Sequence, residues 1–128
     1  MPKCELPIKF NNSDELIVLK NQEIIKKIPL LQRAMEIYNS NWDQEDTIIT
    51  EPIDIPFKRE SGDFIIASID NYINVPSNDR PEDYPEANAK SLSELRDIIE
   101  LSNYLECEPM VNICGLIIAS KLSGQVSK

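Results

Sequence analysis

The sequence contains no histidine. That removes the Ser–His and Cys–His pairs that activate many nucleophiles, and it removes every imidazole metal site. A lysine or a carboxylate could still serve as a base. The carboxylates, however, gather in polar segments and on helix faces, with no paired acid and base on an apolar background. Glycine is nearly as scarce, with 3 in 128 residues. Gly-rich phosphate loops of the dinucleotide or P-loop type have little to be built from, and neither motif occurs. The three cysteines, Cys4, Cys107 and Cys114, are odd in number and irregular in spacing, which is not a disulfide framework. Cys107 and Cys114 are seven apart, so they form no Cys-x-x-C redox or zinc unit. They lie in or beside an apolar segment, where free Cys behaves as a small hydrophobe. The chain opens Met-Pro-Lys with no apolar signal region, and no apolar run approaches the length of a membrane span. These absences point away from an enzyme, from any cofactor or metal and from a membrane. They point to a reducing intracellular compartment, cytoplasmic or nuclear.

Basic residues are also in deficit. Lys and Arg number 13 against 22 Asp and Glu, a net charge of −9. Nucleic acid and anionic lipid would repel such a chain, because phosphate contacts need clustered Lys and Arg. The acidity serves solubility, or it steers the chain to a basic partner. What is present is ordinary for a globular protein, with 41% hydrophobic and 27% charged residues. A chain of this length buries about two-thirds of its unfolded surface, enough for one core. We read residues 1–128 as a single domain.

Residues 6–10 and 15–19 are apolar stretches flanking Asn11, Asn12, Ser13 and Asp14, a β-hairpin pattern. Asn21 is a candidate N-cap, with Glu23 in the first turn and Ile24, Ile25 and Ile28 following at helical spacing. Pro29 breaks that helix and opens a second, whose apolar positions are Leu30, Leu31, Ala34, Met35, Ile37 and Tyr38. Residues 39–51 are mostly polar, a loop. Ile53 and Ile55 alternate with Asp54 between prolines, which predicts a short edge strand. Ser61 is a candidate N-cap for a helix reaching residue 74. Residues 75–90 hold Pro76, Pro81 and Pro85 among four acids, a pattern that predicts a flexible acidic loop. Ser91 and Glu94 form a capping box for a helix to about Leu105. Pro109 then opens a last helix, with Gly124 as its C-cap.

The last helix is the informative element. Met110, Ile113, Cys114 and Ile117 make one apolar stripe, and Val111, Ile118 and Leu122 make a second, offset round the axis. A surface helix has a single apolar face. A doubly apolar helix is either central in the core or half of an interface.

The order of elements resembles the Skp family of BTB/POZ-fold adaptors over nearly the whole chain. The strongest local likeness is Leu101-Ser102-Asn103-Tyr104-Leu105-Glu106, which resembles the family's Ala-Asn-Tyr-Leu-Asp segment. The closing Ile117-Ile118-Ala119 and Lys121-Leu122-Ser123-Gly124 are similar as well. The resemblance implies an α/β, BTB/POZ-like fold, a small three-stranded sheet flanked by five to six helices. It implies a non-enzymatic adaptor that links a cullin amino-terminal domain to an F-box-like receptor in an SCF-type ubiquitin ligase. The cullin face would then include Asn103, Tyr104 and Phe57, and the second partner or dimer face Val111, Ile118 and Leu122. Family members continue past the closing helix with further F-box-binding helices, whereas this sequence stops at Lys128. It would thus be either a shortened chain or a divergent member. Glu106 replaces the usual Asp, and Arg96, Asp97 and Ser102 are more polar than the family's helix. A structural oligomerisation or scaffold subunit outside ubiquitination, as a homodimer or in a dedicated complex, is the alternative.

Overall fold

In the computed structural model, which describes residues 2–74 and 80–126, the chain begins with β1, Cys4–Phe10. Leu6, Ile8 and Phe10 alternate along it and are buried. β2, Ile17–Leu19, returns antiparallel, pairing Leu6 with Leu19. On the other side of β1 lie β3, Thr47–Ile48, and β4, Ile53–Ile55, both parallel to it. Among the described residues the sheet therefore has four strands, one more than the sequence predicts. β3 was hidden because it is two residues long and sits in the polar segment 39–51. Its break from β4 has a cause in β1. The Lys3 and Glu5 carbonyls accept from Thr47 and Ile49, so odd-numbered residues face that edge. Pro7, next in the series, has no N–H to return, and the ladder resumes only at Ile8 with Ile53.

That polar segment also contributes to the core. Trp42 is 2% exposed, and the Lys26 ammonium lies 5.9 Å from its ring centre. Asn39 organises the turn: its Oδ1 accepts from the Asn41 N–H, and its Nδ2 donates to Thr47 Oγ1.

Among the described residues six α-helices accompany the sheet. α1, Gln22–Lys26, starts where expected, with Asn21 accepting from the Glu23 N–H, and α2, Pro29–Tyr38, starts at Pro29. Leu31 and Met35 are buried, but Ile37 and Tyr38 are 86% and 60% exposed. Ile37 lies about 200° round the helix from Met35, on the opposite face. α3, Arg59–Asn74, begins two residues before Ser61, which is buried inside it. Its N-cap comes from the hairpin turn. Asn12 Oδ1 accepts from the Arg59 N–H at 2.8 Å, and Asn12 Nδ2 donates to the Glu60 carboxylate. Ser61 as the cap is a local inference, overridden by Asn12, which lies 47 positions before Arg59.

Part of the predicted acidic loop is folded. A 3₁₀ turn at Pro81–Asp83 leads into α4, Pro85–Asn88, and Tyr84 and Ala87 are buried. These two apolar side chains anchor a stretch that composition alone marked as a linker; residues 75–79 of that loop lie outside the described residues. α5, Leu92–Tyr104, carries the expected capping box, with Ser91 and Glu94 bonding reciprocally. α6, Glu108–Val126, runs through Gly124, which is therefore not its C-cap. Among the described residues the α5 and α6 pair is the most extensive helix contact. The whole is a small α/β protein, helices around a small mixed sheet. Among the described residues no helix is long and apolar enough to cross a membrane.

Candidate protein-binding surface

α5 ends in a turn that fixes the residues following it. The Cys107 N–H bonds the Ser102 carbonyl at 2.8 Å, and the Glu106 N–H bonds the Asn103 carbonyl at 3.1 Å. This is the Schellman pattern, and Glu106 takes its left-handed position at φ 62°. Glycine usually fills that position, since a Cβ is strained there. Glu106 is held instead by a forked pair with Arg33 of α2, one arm of which is 2.7 Å. The guanidinium keeps the Glu106 carboxyl below its ordinary range. α2 is tied to the same turn by the Leu30 N–H, which donates to the Leu105 carbonyl.

The turn presents Asn103 and Tyr104 at the surface, both exposed. The ring of Tyr104 meets that of Phe57, with centroids 5.3 Å apart and planes tilted by 55°. Phe57 follows β4, and its carbonyl accepts from the Asn11 N–H of the hairpin turn. Two residues from distant parts of the chain, Tyr104 and Phe57, thus meet, with Asn103 exposed next to Tyr104 in sequence. Beside Tyr104 runs a groove of about 440 Å³, lined by Lys9, Asn11, Asp54, Pro56 and buried Phe10 and Ile55. Lys9 and Asp54 are register partners on β1 and β4. Sequence reasoning did not assign them to a surface. The signal was there, because both alternate with buried residues and so face outward.

The second predicted face lies on α6. Met110, Ile113, Cys114 and Ile117 are buried, as their stripe requires. Val111 and Ile118 are half-buried, and Leu122 is 46% exposed. The offset stripe is therefore partly covered near the middle of the helix and open at Leu122. Gly115 lies between Val111 and Ile118, and a Cβ there would meet only Ile99 Cδ1, at 3.9 Å.

A smaller depression of about 220 Å³ lies between α3 and α5. Its charges answer one another, Lys58 with Asp97 at 3.2 Å and Lys90 with Glu94 at 3.7 Å. Glu60 and Glu94 beside it are held below the ordinary carboxyl range, chiefly by backbone hydrogen bonds. All three thiols are buried, and burial pushes each upward, Cys114 to about 11. Such thiols are poor nucleophiles at neutral pH. Among the described residues no group of three or more Cys, Asp or Glu is placed to hold a metal ion.

No protein-family model matches the chain, and no match is found among the curated proteins.

Proposed function

We propose that this chain is a non-enzymatic protein–protein adaptor resembling the Skp subunit of SCF-type ubiquitin ligases. The face around Asn103, Tyr104 and Phe57 receives a cullin amino-terminal domain. The α6 stripe of Val111, Ile118 and Leu122 receives a second protein such as an F-box-like receptor. The observation that carries the reading is the Tyr104–Phe57 ring contact at 5.3 Å. It joins Tyr104, which the family likeness assigns to the cullin contact, to Phe57, expected on the same face, and it pre-orders an aromatic anchor of the kind that dominates interfaces. Asn103 is exposed beside it, with both side-chain amide functions available to a partner backbone.

The test is a pull-down on an immobilised cullin amino-terminal domain. Wild-type protein is retained, and the Asn103→Lys/Tyr104→Lys variant is not. Absence of wild-type retention, or equal retention of the variant, contradicts the reading.

A second reading is favoured by Leu122, which is 46% exposed at the open end of the α6 stripe. In it the stripe pairs two copies in a scaffold outside ubiquitination. Light scattering distinguishes it: a monomeric mass at high concentration removes it.

A further inference from the structure

β2 is an open edge. Among the described residues it pairs with β1 alone, and no proline occurs from residue 11 to residue 28 to blunt it. On the far side of the sheet, by contrast, β4 lies between Pro52 and Pro56.

The register fixes which groups of β2 face outward. The Lys3 and Glu5 carbonyls turn toward β3, so the even-numbered residues of β1 turn toward β2. Leu6 and Ile8 stand opposite Leu19 and Ile17. Those two residues of β2 therefore direct their backbone groups to β1, and the N–H and carbonyl of Val18 point away from the sheet. Lys20 ends the strand, since its carbonyl accepts from the Cys4 thiol at 3.4 Å. In the other direction, the next outward-facing groups are those of Leu16. The side chains alternate across the sheet. Leu19 is buried and Ile17 packs on the core, while Val18 stands opposite Pro7 on the outer face, 41% exposed. Leu16 is 46% exposed.

The local sequence decides what fits. Residues 14–20 read Asp-Glu-Leu-Ile-Val-Leu-Lys, which is self-complementary. Laid antiparallel on a second copy, with the two-fold axis at Ile17, Leu16 meets Val18 of the other copy and Asp14 meets Lys20. This register sets outward-facing residues against each other, so Leu16 and Val18 exchange backbone bonds across the axis. Asp14 and Lys20 are exposed and form no ion pair among the described residues. Glu15 is answered within the chain by Arg59, at 3.2 Å. The edge is thus close to neutral in a chain of net charge −9, so two copies meet here with less repulsion than elsewhere.

We propose that two copies of the chain associate through their β2 edges, antiparallel about Ile17, joining two four-stranded sheets into one. Leu16 and Val18 supply the apolar contact, and the Asp14–Lys20 pairs at either end set the register. Strands this short bury less than the about 1,200 Å² of a stable complex, so the dimer is weak and forms with rising concentration. The inference goes beyond the adaptor reading and uses neither Tyr104 nor α6.

Sedimentation velocity from micromolar to millimolar protein reads the mass, and amide NMR over the same range reads the location. The expected result is a monomer–dimer equilibrium with shifts centred on Leu16 and Val18. Leu16→Lys/Val18→Lys abolishes the dimer. Asp14→Lys and Lys20→Asp each set like charges together at both ends and weaken it about tenfold. An equal mixture of these two variants restores association, because each supplies the charge the other lacks. Retained circular dichroism shows that every variant folds. A monomer at millimolar concentration, a dimer indifferent to Leu16→Lys/Val18→Lys, or a mixture no better than its components overturns the proposal. So does loss of the dimer in Leu122→Lys, which would assign the contact to α6.

Discussion

Replacing Gly62 by Ala tests the packing that builds the candidate surface. Helix propensity alone favours Ala by about 0.5–1 kcal/mol. The structure reverses that sign. A Cβ on Gly62 would lie 2.1, 2.5 and 2.9 Å from three ring carbons of Phe10. Carbon atoms sit comfortably at about 3.5–4.0 Å, so the ring or α3 must move by more than an ångström. The ring has little room to yield, being 4% exposed at the end of β1, where Phe10 pairs with Ile55. Overpacking of this kind costs about 1–3 kcal/mol, and the severity of the clash puts it at the top of that range. Less the propensity gain, the net loss is about 2 kcal/mol. At this chain length it lowers Tm by about 6–10 °C. Gly115→Ala is the internal control. Its Cβ meets only one atom, at 3.9 Å. It should stabilise by about 0.5–1 kcal/mol. Urea titration followed by Trp42 fluorescence measures both, since that single, buried Trp is exposed on unfolding. Adding Phe10→Leu to Gly62→Ala should cost less than the sum of the two changes. A Gly62→Ala protein as stable as wild type would refute the reasoning.

Asn12→Ala removes the distant cap of α3 and should cost about 1–2 kcal/mol by urea titration, whereas Ser61→Ala should leave the start of α3 intact in NMR amide shifts. Glu106→Gly relieves the left-handed backbone and should hold or raise Tm by a few degrees, while Glu106→Val, which keeps the strain and loses Arg33, should lower it; equal Tm values for the two would contradict the turn assignment. Burial raises the Cys114 thiol from 9.0 to about 11, so the folded state retains a proton that the unfolded chain loses. The stability this provides is intact below the unfolded value and lost as pH rises through the folded one. Cys114→Ala should therefore flatten the fall in urea midpoint between about pH 9 and 11, and an unchanged slope would count against it.

Local rules found the elements whose causes are local. Asn21, Pro29 and the Ser91–Glu94 box act within one helical turn, and all three mark true helix starts. What escaped was decided at a distance. The start of α3 depends on Asn12, and the gap between β3 and β4 depends on Pro7, which is invisible until the strands are paired. Trp42 and Tyr84 are single apolar anchors in polar stretches, and a composition window averages them away. At the candidate surface Asn103 and Tyr104 were singled out by the family resemblance, not by the residues alone, and both are exposed. The groove beside them was not legible, because Lys9 and Asp54 become neighbours only through parallel pairing.

The central claim is that the Tyr104–Phe57 face is a protein-binding anchor. Titration calorimetry of the chain with a cullin amino-terminal domain tests it most directly. Wild type should bind, and Tyr104→Ala and Phe57→Ala should each weaken the complex by about thirtyfold, the loss typical of a hot spot near 2 kcal/mol. No heat of binding for a wild-type protein with native circular dichroism, or one affinity for all three proteins, would contradict it.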